Sequence, residues 1–348
     1  PRAISPKTHP SYSGTIQLAT MNELARDYFL SGFRFDSGDI LPQLRIHART
    51  LGEPRRNAAG RMSNAVLILH GTTGSGAQFM QPTFAGELFG SGQPLDARAH
   101  FIILPDGIGH GKSSKPSDGL RLRFPRYGYQ DMIRAQYRLL TECLGVDRLR
   151  LVMGTSMGGM HSWLWGIQHP GFMERLLPLA SLPAQIAGRN RMVRKMITDC
   201  IRDDPAWQHG EYAQQPPGLI NAIHLLIMMT SCPLHWRKEA PTRADADAFL
   251  TQRIRQLAAA LDANDMLYAF AASEDYDPAP GLEKIRAPLL AINSADDQVN
   301  PPELGIMEAA MQQMPGARYV LLPISEHTRG HGTHTLAALW KRHLAEFM

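Results

Sequence analysis

The 348-residue chain predicts an α/β fold in which a mostly parallel sheet is covered by helices on both faces and interrupted by a helical insertion. Three observations predict it. Residues 65–70, 101–104, 149–153, 289–292 and 319–322 are short, continuous apolar runs, the pattern of strands buried on both faces. Helical periodicity separates them, at 129–144, where Met132, Ile133, Ala135, Tyr137, Leu139 and Leu140 share one side, and again at 160–168. From 182 to 281 the strand-like runs stop and only helical patterns remain, so 182–281 predicts a cap inserted into a core made of 1–181 and 282–348.

Composition narrows the function classes. An apolar content of 44% supports a sizeable core, and the net charge of +4 is spread over the chain without a basic run interleaved with aromatics, which argues against nucleic acid. No apolar run reaches the length of a membrane span; the longest, 219–229, contains Asn221 and His224. Cys143, Cys200 and Cys232 are too few and too dispersed for a disulfide framework or a metal knuckle, so three buried thiols are expected, with a Cys200 to Cys232 bridge as the alternative. The chain begins at Pro1, which fits a removed signal peptide or a trimmed chain; on the first reading its compartment is periplasmic or secreted.

Taken in order, residues 1–20 are rich in Ser, Thr and Pro and predict an extended arm. Residues 29–35 and 41–50 predict an antiparallel pair joined through Ser37, Gly38 and Asp39. A polar loop at 53–64 leads into the buried strand at 65–70, which ends on His70, Gly71, Thr72, Thr73 and Gly74. After the strand at 101–104, Asp106 to Ser114 predict a turn that shapes a pocket rim. In the cap, helical patterns at 191–202, 219–230, 244–261 and 265–272 are broken by Pro205, Pro216, Pro217, Pro233 and Pro241. Met192, Met196, Met228 and Met229 read as helix packing in preference to a channel lining.

The chemistry is carried by Gly154, Thr155, Ser156, Met157 and Gly158 between a strand and a helix, which is the Gly-x-Ser-x-Gly nucleophile elbow. Glycines at both flanks let strand and helix meet closely while Ser156 takes a strained conformation with its hydroxyl exposed. A serine nucleophile needs a base and the base an orienting carboxylate, in the chain order Ser, Asp, His. Two aspartates follow the strand at 289–292; Asp297, four residues before Pro301, is preferred as the acid, and Asp296 is assigned to the loop. Asn300, Pro301 and Glu303 predict a helix start just beyond. Among the histidines after the last strand, His331 lies between glycines and is preferred as the base, with a helix beginning after it; His327 and His334 are assigned to the loop and to that helix start. Gly330 and Gly332 break the helix that zinc ligation by His327 and His331 would need, so no metal is expected. Thr72 and Met157 are the expected backbone donors of an oxyanion hole. The glycines after His70 are not followed by Gly-Lys-Ser/Thr, and the Gly107 to Gly111 turn lacks dinucleotide spacing, so no nucleotide cofactor is expected.

These residues resemble the α/β-hydrolase superfamily from about residue 26 to the end and, within it, the homoserine O-acetyltransferase family. The closer likeness rests on the run from Ser156 to Met160, on Phe124-Pro125 with Asp131-Met132, on Asp203 to Trp207 through Gly210, Tyr212, Gly218 and Leu219, on Asp262 to Tyr268, and on Gly330-His331. It implies a triad of Ser156, Asp297 and His331, a helical cap and a homodimer formed through that cap. The chain departs from relatives that acetylate homoserine in its Gly109 to Pro116 loop, where they tend to carry Gly-Ser-Thr-Gly-Pro, and in a short segment before Asp262. A serine hydrolase acting on small acyl esters is therefore expected. The alternative is an O-acyltransferase with an acetyl-CoA donor, and a non-catalytic protein on the same fold ranks third.

Overall fold

The structure, a computed structural model, describes residues 23–348; the arm expected at 1–20 lies outside the described residues. The chain enters as an antiparallel hairpin, β1 (Leu24–Arg34) and β2 (Ile40–Leu51), closed around Gly38 at φ +93°. It continues through β3 (Ala65–Leu69), α1 (Ala85–Leu88), β4 (Phe101–Pro105), α2 (Tyr129–Arg138), β5 (Leu151–Thr155), α3 (Met157–Gln168) and β6 (Leu176–Leu179). A wide helical turn at Leu139–Cys143 extends α2, so the helix expected over 129–144 is present.

Between β6 and β7 (Leu290–Ser294) lie α4 (Gly188–Arg202), α5 (Pro217–Met229), α6 (Pro233–Glu239), α7 (Arg243–Ala260) and α8 (Ala263–Ala271). The chain finishes with α9 (Ile306–Gln312), β8 (Arg318–Leu322) and α10 (Lys341–Phe347). Helix α6 begins at Pro233, which the sequence presents as a breaker; proline in a first turn removes no intrahelical hydrogen bond, so it can start a helix as readily as stop one.

The eight strands lie in the order β1-β2-β4-β3-β5-β6-β7-β8. The β1–β2 and β2–β4 pairs are antiparallel and all the others parallel. The chain leaves β3 for β4 on one side and returns to β5 on the other, so a crevice opens at the carboxyl ends of β3 and β5, where such sheets bind ligands.

Continuous apolar strands follow from the two cores they must fill. Leu67 and Leu69 of β3 face the layer that holds Tyr129, Ile133 and Trp163, whereas Val66 and Ile68 face Phe84, Leu88 and Trp340. Strand β4 divides likewise, Ile103 to the first layer and Ile102 and Leu104 to the second.

Helix α4 packs against both α5 and α8, and the three continue the first core. The insertion is tied to the sheet layers by Asp275, whose carboxylate accepts the Tyr129 and Gln130 N–H groups at 3.0 and 3.1 Å and so caps α2 from far along the chain. A Cβ at Gly128 would run into that carboxylate. The methionine expectation holds for Met229 alone: Met192, Met196 and Met228 are 63%, 50% and 59% exposed, so they pack in no core. All three cysteines are free thiols, but only Cys232 is buried; Cys143 and Cys200 are half-buried.

Candidate active site

Strand β5 runs straight into α3 through Ser156, whose φ of 57° and ψ of −115° lie outside the ordinary regions for a residue with a side chain. Such a conformation costs on the order of 1–3 kcal/mol and persists only where its surroundings enforce it. Here the Ser156 N–H donates to the Leu179 carbonyl and the Ser156 carbonyl accepts from the Met160 N–H, both at 2.9 Å. The elbow glycines permit the close approach: a Cβ on Gly154 would overlap the Gly158 carbonyl, and one on Gly158 would overlap the Leu69 carbonyl of β3.

His331 is brought to Ser156 from 175 residues away, with Nε2 2.8 Å from the serine Oγ. Its Nδ1 lies 2.9 Å from Asp297 Oδ2. This arrangement puts the ring proton on Nδ1, donated to the carboxylate, and leaves Nε2 free to accept from the serine hydroxyl. Asp297 is fully buried yet well satisfied: Oδ1 accepts the Val299 and Asn300 N–H groups at 2.7 and 3.2 Å, and Oδ2 accepts the Asn300 amide at 3.0 Å. Burial alone would raise its pKa; the neighbouring His331 and these hydrogen bonds outweigh burial and hold it below the usual carboxylate value.

Asn300 does not cap a helix, as its place before Pro301 suggests. It spends its side chain on Asp297 and on the Ala180 carbonyl at 2.9 Å. Only a short 3-10 turn follows, at Pro302–Leu304, and α9 starts later. His331 likewise sits inside a 3-10 segment, Gly330–Thr335, where a helix was expected to begin after it.

Asp296 takes no direct part in the contact with His331. Its carboxylate accepts from Ser294 Oγ at 2.5 Å, from the Gly330 N–H at 3.1 Å and from the Cys232 thiol at 3.3 Å. It therefore fixes the backbone immediately before His331 and links it to the start of α6. His327 is exposed, with its Nε2 3.6 Å from a Glu326 carboxylate oxygen. His334 is half-buried with its ring edge against His331, the centroids 5.4 Å apart. Desolvation and the neighbouring His331 push its pKa down to about 3, so it stays neutral beside that ring.

The loop after β3 lies against the elbow, where a Cβ on Gly71 would be 3.4 Å from the Ser156 Cβ. Neither the Thr72 nor the Met157 N–H has an acceptor within the described chain. His70 fixes this loop from below. Its Nε2 accepts the Gly107 N–H at 2.9 Å, which puts the proton on Nδ1, and Nδ1 donates to the Gly71 carbonyl at 2.8 Å. Burial, with His110 alongside, drives the pKa of His70 down to about 3 and keeps that tautomer neutral. The sequence assigns no role to His70, although a histidine that directly follows a buried strand and precedes glycines was a usable signal.

Beside Thr72 opens a cleft of about 100 Å³, bounded by Thr73, His110, Lys115, Asp265 and Phe270. Lys115 is the one cation on its wall among the described residues, and its ammonium lies 3.5 Å from Asp265. No group of three or more His, Cys, Asp and Glu side chains set to hold a metal occurs among the described residues.

A profile of the alpha/beta hydrolase fold matches residues 64–328. A probable acyltransferase of Methanothermobacter thermautotrophicus is 28% identical over 306 residues, covering 86% of this chain and 91% of that one. A homoserine O-acetyltransferase of Geotalea uraniireducens is 32% identical over 313 residues, covering 79% and 82%. Among solved structures, esterase E22 superposes with a TM-score of 0.81 at 21% identity, over 93% of this chain and 99% of the other. Profile, relatives, strand order and elbow agree: the chain belongs to the alpha/beta hydrolase fold family, is an enzyme of that type, and resembles the homoserine O-acetyltransferases within it.

Proposed function

We propose that the protein is a serine hydrolase of small acyl esters, working through an acyl group carried on Ser156. The observation that carries this reading is the hydrogen-bonded series from Ser156 Oγ to His331 to Asp297. His331 Nε2 takes the serine proton as Oγ attacks the ester carbonyl, Asp297 stabilises the imidazolium that forms, and His331 returns the proton to the leaving alcohol. The Thr72 and Met157 N–H groups receive the negative charge that develops on the carbonyl oxygen. Water, activated by the same histidine, then releases the acid. No cofactor or metal enters this sequence of steps.

Hydrolysis is favoured over transfer from coenzyme A by the wall of the cleft. A coenzyme's phosphates call for free cations, and the one lysine there is already engaged by Asp265. One observation favours the second reading, an O-acyltransferase of the kind its relatives represent. Arg194 is buried, donates to Asn190 Oδ1 at 2.9 Å and Ser273 Oγ at 3.2 Å, lies over the Phe270 ring, and has no carboxylate partner among the described residues. A buried guanidinium without an anion suits an acceptor that carries its own carboxylate.

The test uses p-nitrophenyl acetate, a fluorophosphonate probe, and acetyl-CoA with homoserine. Wild-type protein should cleave the ester and take the label without added alcohol. Ser156→Ala should do neither, and His331→Ala or Asp297→Asn should each lose about a thousandfold in kcat. Label retained in Ser156→Ala would discard the elbow assignment, and multiple turnovers to O-acetylhomoserine would favour the transferase.

A further inference from the structure

The oxyanion loop is held by few backbone contacts of its own. From residue 71 to 76, the backbone groups with partners outside helices and strands are the Gly71 carbonyl, taken by the Gly74 N–H at 3.0 Å and by His70; the Thr72 carbonyl, which faces His110 Nε2 at 2.7 Å; the Ser75 carbonyl, taken by the Gln78 N–H at 3.0 Å; and the Gly76 N–H, given to Asp106 Oδ1 at 2.8 Å. Gly71 and Gly74 leave this backbone conformationally free unless something outside it intervenes. The peptide that bears the Thr72 N–H is fixed at its oxygen end by His70. The peptide after it is fixed by His110 alone.

We propose that His110 is a positioning residue of the oxyanion loop, its Nε2–H holding the Thr72 carbonyl so that the Thr72 N–H points at the reacting oxygen. This rests on the acyl-enzyme reading of Ser156 given above. It also gives a purpose to the Gly109 to Pro116 loop, in which the chain departs from the acetyltransferase pattern. With both peptides flanking Thr72 pinned, its φ and ψ cannot drift and the donor is preorganised, which is where such a group gains its effect. Without His110 the second peptide is free to rotate, and a part-buried carbonyl loses its partner.

The surroundings of His110 are built to keep the ring there. It is 6% exposed and 5.0 Å from the His70 ring. Gly109 and Gly111 flank it at φ +79° and +54°. A Cβ on Gly109 would strike the Tyr127 hydroxyl, and one on Gly111 the Asp106 carboxylate. Asp106 also accepts the Lys112 N–H at 2.8 Å, so one buried carboxylate ties the His110 loop to Gly76 of the oxyanion loop.

The two ring nitrogens face different carbonyls, Nε2 that of Thr72 and Nδ1 that of Ile108 at 2.8 Å. The neutral ring carries one N–H and can donate to only one of them; in the proposed role that proton is on Nε2, and amide substitutions separate the two. His110→Gln sets an amide nitrogen near the position of Nε2, whereas His110→Asn sets one near Nδ1. Gln should keep kcat for p-nitrophenyl acetate within about fivefold of wild type. Asn should lose about 30-fold, less than the 100-fold or more that follows loss of an oxyanion donor itself. KM should change by no more than about twofold in both, because the ground-state ester does not use the hole. If Asn does not fold, His110→Glu replaces it, matching Gln in length but presenting an acceptor when ionised, and it should lose the rate that Gln keeps.

Wild-type kcat in His110→Asn, or equal losses in Gln and Asn that follow their melting temperatures, would overturn the proposal in favour of simple packing. Ser156→Ala is assayed alongside. Activity surviving there discards the acyl-enzyme reading itself, whereas an inactive Ser156→Ala beside an unaffected His110→Asn discards only the role of His110.

Discussion

Around Ser156 the histidines divide by what burial lets them do. His331 has a carboxylate behind it and a hydroxyl before it, so its proton can move. His70 and His334 have no carboxylate partner, and burial pushes both down to about 3 from an ordinary 6.5. Their effect on stability has a definite sign. Between about pH 6.5 and pH 3 the unfolded chain protonates both rings while the folded protein does not, so unfolding takes up protons and stability falls as the pH drops through that window. At pH 5 the loss is on the order of 2 kcal/mol for each. Carboxylates with raised pKa values, Asp131, Asp265 and Asp275, work in the opposite sense. The contribution of one histidine is isolated by comparing melting temperatures at pH 7.5 and pH 5 in wild type and His334→Gln. The variant should show the smaller drop, and equal drops would mean that His334 takes its proton in the fold.

Secondary-structure elements were legible wherever one segment decided its own state. Strands β3, β4 and β5 announce themselves because both faces are apolar, and the elbow because its spacing is local. What escaped were side chains with two local options decided by distant partners. Asn300 could cap a helix or satisfy Asp297, and the Ala180 carbonyl of a distant strand end settles it. His110 reads as part of a rim turn because Thr72, 38 residues away, is invisible from its neighbours. Asp275 is a third case, since nothing near it in sequence indicates that it caps α2. Asp275→Ala should cost about 1–2 kcal/mol, as loss of a helix cap does, and should loosen the contact between insertion and sheet. Urea unfolding would read this as a lower midpoint at unchanged slope; an unaltered midpoint would mean that water replaces the carboxylate at no cost.

At the scale of the whole molecule, the part that remains unsatisfied is the outside of the cap. Helix α7 has 18 residues and none of them is fully buried: Ile254 and Leu257 pack half-buried against the first core, whereas Leu250 stands 43% exposed. On α4, Met192 and Met196 lie one turn apart with most of their surface exposed, and Met228 on α5 and Leu234 on α6 are 59% and 60% exposed. Leu250 together with these exposed methionines and Leu234 gains from cover. We propose that a second copy of the chain supplies it, forming a dimer through the caps that leaves the carboxyl ends of β5, β7 and β8 open to substrate. Sedimentation velocity at micromolar concentration should then give a dimer. Leu250→Lys with Leu234→Lys should shift it to a monomer by burying two unpaired charges at the contact, while retaining Ser156-dependent ester cleavage, because both positions are exposed and lie away from Ser156, His331 and Asp297. A wild-type monomer, or a double variant that stays dimeric, would move the interface away from α7.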